Sequence, residues 1–131
     1  MLLTKKSEYA LMALIYISEK NEAISVDTIS NDLNISKTYL AKVLQKFNKK
    51  NIISSKKGKN GGFVLSKDPK DIDIYNIVKI AESSDVVVFD CSISIGNCNQ
   101  SKIYCQLWPM FNNLQTQIDG FLKKLSLKDI I

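Results

Sequence analysis

The sequence predicts a mainly α-helical chain with one small β-hairpin and a long C-terminal helix. Three observations lead there. Apolar residues recur at three- and four-residue spacing in five segments, as amphipathic helices require. A single glycine-rich stretch, Lys57-Gly58-Lys59-Asn60-Gly61-Gly62, separates two short runs of strand length. The last segment, Leu107 to Leu125, carries more apolar surface than one helix face needs.

Taken in order, Thr4 is placed to cap a first helix that runs to about Glu19, with Tyr9, Met12, Ala13, Tyr16 and Ile17 at helical spacing. Ser25 caps a short second helix with Asp27 in its first turn and Val26, Ile29 and Leu33 on one side. Leu33-Asn34-Ile35 is a tight turn, and Ser36 caps a third helix to about Lys50. Ile35 and Leu40 are spaced for a hydrophobic staple across that cap. Leu40, Val43, Leu44 and Phe47 form the apolar stripe of this helix, and Lys37, Thr38, Lys42, Lys46 and Lys49 its opposite face. Ile52 to Lys56 and Phe63 to Ser66 read as strands joined by a tight glycine turn. Asp68-Pro69 marks a boundary, and Asp73 caps a fourth helix carrying Ile74, Ile77, Val78 and Ala81. A short apolar run, Val86 to Phe89, leads into a loop from about Asp90 to Tyr104, with a turn at Gly96-Asn97. Pro109 belongs in the first turn of the final helix, which therefore begins near Cys105 or a few residues later. Ser126 to Asp129 can close one more turn.

With 131 residues, the chain is long enough for one domain and an appended element without disulfide staples. No apolar run reaches membrane-span length, and the N-terminal residues lack the pattern of a signal peptide, so a cytoplasmic protein with reduced thiols is expected. Residues 1–70 hold 13 lysines and 6 acids, a charge of +7; residues 71–131 hold 5 lysines and 7 acids, a charge of −2. The division predicts a DNA-binding domain over 1–70 and, over 71–131, a connecting helix, cysteine loop and dimerisation helix. Charge alone favours the blander reading, a generic lysine-rich solvated surface.

A short helix, a three-residue turn and a second helix with a basic outer face match a helix-turn-helix, although the pattern also fits an ordinary helical hairpin. The basic hairpin that follows favours DNA. It would form a wing beside the recognition helix, with Lys56, Lys57 and Lys59 near its tip. Lys37, Thr38, Tyr39 and Lys42 are the expected contacts of the recognition helix, and Lys57, Lys59, Asn60 and Gly61 those of the wing. Arginine is absent, so the strongest bidentate contact to guanine is not available. Histidine is absent too, which removes the usual general base, and no other motif indicates an enzyme or a small-molecule substrate.

The chain's only cysteines, Cys91, Cys98 and Cys105, stand with six residues between each pair. Thiolates suit iron–sulfur clusters or zinc. The gaps do not resemble the two-residue knuckles of structural zinc sites. Unligated thiols remain the third reading.

Three features together resemble one family: Leu3-Thr4-Lys5-Lys6-Ser7-Glu8-Tyr9-Ala10, the wing Gly58-Lys59-Asn60-Gly61-Gly62-Phe63-Val64-Leu65, and the three-cysteine loop before a long helix. This is the Rrf2 family of winged-helix regulators, which includes iron–sulfur sensors of the IscR and NsrR type. The resemblance covers essentially the whole chain. It implies a homodimer built on the long helix, a double-stranded DNA operator, and an iron–sulfur cluster on Cys91, Cys98 and Cys105, near the N-terminal helix of the other subunit, that controls operator affinity, most simply as a repressor. A cluster of this kind is easily lost in air. The IscR pattern takes a fourth ligand from a histidine after the last cysteine; here that stretch is Gln106-Leu107-Trp108, so that ligand set is excluded. The NsrR pattern takes an acid just before the tyrosine of helix one, and here that residue is Glu8. Glu8 is equally well placed to stabilise the helix N-terminus by about 0.3–1 kcal/mol. A 4Fe-4S cluster is favoured, with 2Fe-2S as the other nuclearity. The signal implied is redox state, nitric oxide or iron and cluster supply, and the alternative is a cluster-free thiol-switch repressor of the same fold.

Overall fold

A computed structural model describes residues 3–92 and 105–131. Five helices occur among these residues: α1 (Lys5–Ser18), α2 (Val26–Leu33), α3 (Lys37–Lys49), α4 (Ile74–Glu82) and α5 (Trp108–Lys124). Strands β1 (Ile53–Lys56) and β2 (Gly62–Leu65) form an antiparallel hairpin with Ile53 opposite Leu65 and Lys56 opposite Gly62. Short 3₁₀ turns occur at Pro69–Asp71, Asp90–Ser92 and Leu127–Ile130. The predicted class holds; β1 starts one residue later than expected and ends where expected, and β2 lies one residue earlier. The Gly96-Asn97 turn and Cys98 lie outside the described residues.

The caps act largely as expected. Thr4, Ser25 and Asp73 each accept a backbone N–H with the side chain at the starts of α1, α2 and α4, satisfying donors that the helix itself leaves open. Ser36 stands at the cap position of α3, but its hydroxyl accepts no backbone N–H, so the expected side-chain cap is not formed. Ile35 and Leu40, buried on either side of it, hold the entry instead.

Helix α2 ends in a left-handed Asn34 (φ 55°), and the Ile35 N–H reaches back to the Ser30 carbonyl at 3.1 Å. Helix α3 ends the same way. Asn51 has φ 60°, its N–H donates to Asn48 O at 3.1 Å, and the Ile52 N–H donates to Phe47 O at 3.0 Å. These are the two bonds of a Schellman termination, and they send the chain straight from α3 into β1. Ile24 pairs with the outer edge of β2 through reciprocal bonds to Phe63 of 3.0 and 2.7 Å. Gly62 makes that pairing possible: its φ is 149°, and a Cβ there would lie 2.2 Å from the carbonyl carbon of Ile24.

The core is continuous from Ala10 to Leu127, with Leu14, Ile17, Ile29, Leu40, Leu44, Phe47, Ile53, Ile72 and Ile77 almost wholly enclosed. Helix α4 packs on α1, α3 and α5. The chain end returns to this core. Ser126 and Asp129 form a capping box, the Leu127 N–H donates to Ile72 O at 2.8 Å, and the Leu127 side chain is fully buried. No helix among the described residues is long and apolar enough to cross a membrane.

Candidate DNA-reading face and cysteine centre

On α3 the residues opposite the core stripe are Thr38, Lys42, Gln45 and Lys49, all exposed. Gln45 was absent from the sequence-based set, although its three-residue offset from Lys42 puts it on the same stripe. Its amide can pair with the edge of adenine. Lys37 is exposed and ion-paired with Asp27 of α2 at 2.7 Å. Tyr39 is half-buried, its ring packed edge-on against Tyr9 of α1 at 5.6 Å between centroids. Burial, and then the nearby Glu82 carboxylate and Tyr9, push the Tyr39 phenol above its usual range, so it stays a neutral hydroxyl.

Lys46 departs from expectation. It lies at the border of the outer face and turns to α4, where its ammonium donates to Ala81 O at 3.0 Å. A cation there complements the negative end of α4. Its charge is engaged within the fold.

At the wing, Lys57, Lys59 and Asn60 are exposed and Gly61 is half-buried. The Gly61 N–H donates to Gly58 O at 3.0 Å to close the tip, and Gly58 has φ 111°. A side chain at Gly61 would place Cβ 2.3 Å from the Lys56 carbonyl oxygen, so the tight tip that carries Lys57 and Lys59 depends on this glycine.

Glu8 lies in the first turn of α1 with its side chain half exposed, 2.6 Å from the Lys5 ammonium. That hydrogen bond and charge raise the Lys5 pKa. Beneath Glu8 is an arrangement that the sequence did not announce. One oxygen of Glu82, at the end of α4, accepts the Thr4 N–H at 3.0 Å, the Thr4 hydroxyl at 2.5 Å and the Ser7 hydroxyl at 2.7 Å. Ser7 is fully buried. Burial alone would push the Glu82 carboxyl up, but the bonds from Thr4 and Ser7 outweigh it and hold the carboxyl below its ordinary value. An acid in the last turn of a helix opposes the helix dipole, and that mismatch was the available clue to a partner elsewhere.

Cys91 lies in the 3₁₀ turn Asp90–Ser92, and Cys105 three residues before α5. Both thiols are half-buried and neither is in a disulfide. Three polar side chains on one face of α5 hold the segment before the loop. The Trp108 indole N–H donates to Cys91 O at 2.8 Å, the Asn112 amide to Ser92 O at 2.8 Å, and the Gln115 amide to Val86 O at 2.6 Å. The Gln115 amide oxygen accepts from the Val88 N–H at 2.8 Å. Among the described residues no three potential ligands come together; Cys98 is outside them. Thiol donors at one end of one helix nevertheless fit the chemistry of an iron–sulfur centre.

Comparison with known proteins agrees with this architecture. The family model of Rrf2, described as an iron-dependent transcriptional regulator, matches residues 3–131. The NsrR regulator of Bacillus licheniformis is 30% identical over 133 residues, spanning all of this chain and 92% of that protein. The IscR regulator of Escherichia coli is 28% identical, with 80% of its length covered. Among solved structures, CymR, the global cysteine regulator of B. subtilis, superposes with a TM-score of 0.75 at 22% identity, over 98% of this chain and 94% of that one. T. potens IscR gives 0.74 at 19% identity, over 98% and 84%.

The Glu82 junction has a pH signature. A carboxyl with a folded-state pKa below its unfolded one stabilises the fold above the unfolded pKa, and that stabilisation is lost as pH falls through the folded pKa. Glu82→Gln is expected to melt at a lower temperature than the parent at pH 7. The gap should close progressively as pH drops below the ordinary glutamate range. Thermal melts from pH 7 to pH 3 check this, and a gap that does not change with pH would mean that the charge on Glu82 is immaterial.

Proposed function

Since this chain belongs to the Rrf2 family of transcriptional regulators, we infer that it binds an operator as a homodimer and that a cysteine-ligated iron–sulfur cluster sets its operator affinity. That it is a DNA-binding regulator and not an enzyme follows from the family and the fold. The observation that carries the finer reading is the mounting of Cys91 and Cys105 at the head of α5, a helix that leaves Met110, Leu114 and Phe121 exposed.

The apolar face of α5 is a stripe. Leu107, Phe111, Leu114, Ile118, Phe121 and Leu125 follow alternating four- and three-residue spacing, the heptad pattern of helices that pair; Ile118 and Leu125 lean in part on the chain's own core and Phe111 on Phe89, while Leu107, Leu114 and Phe121 are exposed. Phe121 is 64% exposed and Leu107 57%. A second copy would bury the stripe, bringing two reading heads to one operator.

Cys91, Cys98 and Cys105 would hold the cluster, with Glu8 of the partner subunit as the carboxylate ligand. A bound cluster supplies iron that reacts with oxygen or nitric oxide and is lost when iron is scarce. The chain's own residues provide the route from there. Glu8 lies in the same turn as Ser7 and Tyr9. Ser7 is fastened to α4 through Glu82, and Tyr9 packs on Tyr39 of the recognition helix. A pull on the first turn of α1 therefore reaches α4 through one contact and α3 through another. With the operator half-sites at fixed spacing, a small rotation of α3 is enough to lose register.

The deciding experiment is the absorption spectrum, with iron and sulfide content, of protein purified without oxygen. Brown protein with about four irons per chain is the expected result, and Glu8→Ala should alter its spectrum or hasten its bleaching. Colourless protein that resists reconstitution yet binds DNA would replace the cluster by a thiol switch. An unchanged Glu8→Ala holoprotein would remove Glu8 as ligand.

Two further outcomes are expected. Phe121→Lys should turn a dimer into a monomer in sedimentation at micromolar protein, and an unchanged dimer would place the interface elsewhere. On an operator selected from random duplexes, Lys42→Ala should lower affinity and flatten the log–log salt dependence by about 0.9, one phosphate contact. Lys46→Ala should lower the melting temperature and leave the salt slope alone. Equal slopes for the parent and both variants would take α3 off the DNA.

A further inference from the structure

Trp108 opens α5 and is half-buried. Its backbone N–H donates to Cys105 O at 3.4 Å, and its indole N–H donates to Cys91 O at 2.8 Å. One residue thus joins the backbones of two cysteines that are 14 positions apart in sequence. Indole has a single donor and no acceptor, so this bond uses its whole hydrogen-bonding capacity.

The receiving segment is stiff. The Phe89 N–H donates to the Ser92 hydroxyl at 2.9 Å, and the Ser92 N–H returns to Phe89 O at 2.9 Å. Ser92 is fully buried, and the Phe89 ring packs on Phe111 of α5 at 4.6 Å. Asn112 and Gln115, four and seven residues beyond Trp108, continue the attachment along the same face. Gln115 is itself buried, and its amide is satisfied by Val86, Val88 and Asp119. Leu107, Leu114 and Phe121 lie about a quarter to a third of a turn away on the helix surface. Helix α5 therefore presents one polar stripe to its own cysteine segment and one apolar stripe outward.

We propose that Trp108 is a positioning residue of the cysteine centre. It sets the separation of Cys91 and Cys105, and its place in the first turn of α5 carries a change at either cysteine into the helix with the outward stripe. This rests on the reading that these cysteines are the sensing groups, but not on whether they hold iron or act as bare thiols. A displaced Cys91 backbone pulls on the indole and, through it, on the first turn of α5. Trp108 is also the chain's single tryptophan, so its emission reports the state of this bond directly.

The test uses the full chain, reduced and iron-free, with iodoacetamide as probe and each cysteine followed by mass spectrometry. Trp108→Phe keeps an aromatic ring and removes the donor. It should raise the alkylation rate of Cys91 by about three- to tenfold, the factor one hydrogen bond is worth, and raise that of Cys98 less. Asn112→Ala removes the adjacent rung and keeps the indole. It should raise the Cys91 rate and shift the Trp108 emission to longer wavelength, which keeps the proposal testable if Trp108→Phe does not fold. Unchanged Cys91 rates in both variants would overturn the proposal. Equal acceleration at all three cysteines with a lowered melting temperature would also overturn it, since that is loosening of the whole fold. Both proteins are then loaded with ferrous iron and sulfide and challenged with EDTA. Faster bleaching of Trp108→Phe supports Trp108 as a cluster-positioning residue. A parent that takes up no cluster would sink the iron–sulfur reading, while the alkylation result on Trp108 would stand.

Discussion

One carboxylate oxygen ties the first turn of the reading head to the helix that follows the wing. Glu82 sits where the end of α4 meets the start of α1, and it accepts three hydrogen bonds from Thr4 and Ser7. A carboxylate placed there costs something on two counts, since it is partly buried and lies at the negative end of its own helix. The three donors offset both. The Lys46 ammonium, bonded one residue earlier at Ala81 O, adds positive charge where α4 ends. Helices α1, α3 and α4 are thus tied to one another by polar contacts at a single corner, above the core that they share.

That corner gives the winged head its stiffness and its connections. Tyr39 of α3 packs on Tyr9 of α1, and its phenol lies close enough to Glu82 for the carboxylate to raise its pKa. The recognition helix is therefore not an independent rod. Its N-terminal half leans on the same turn of α1 that carries Glu8, and its C-terminal end passes through the Asn51 termination into β1. The wing in turn is pinned at Ile24 by a backbone pairing that only glycine at position 62 permits. From Glu8 to the wing tip, each step is a defined contact.

The legibility of all this in the sequence follows the range of the interactions. Helices, caps and the hairpin were readable because their determinants are local: Thr4, Ser25 and Asp73 act within three residues, and the glycines act on their own φ. The core stripe of α3 was readable from spacing. The failures share a different cause. Glu82 and its partners are more than seventy positions apart, so no window contains both. Lys46 sits at the border of two faces, and only the presence of α4 decides which it joins. The polar row Trp108, Asn112 and Gln115 was hidden inside a helix read for its apolar residues. Its meaning depends on a segment ending at Ser92 that has no regular structure to predict. Ser36 shows the converse: the residue type fits the cap, but the side-chain bond is not made there.

The absence of arginine bears on how such a protein gains selectivity. Lysine attracts phosphate as a point charge and distinguishes bases poorly. The uncharged polar groups on the proposed DNA side, Thr38, Gln45 and Asn60 with the neutral hydroxyl of Tyr39, are few for a single head. In the proposed dimer, selectivity must then rest heavily on spacing between two weakly selective heads, because register multiplies what each head reads. A regulator built this way is switched most economically by geometry. The charged groups that attract it to DNA need not change at all, and in the proposed dimer a small displacement at the α1–α4 corner or the head of α5 would alter the spacing on which that selectivity largely rests.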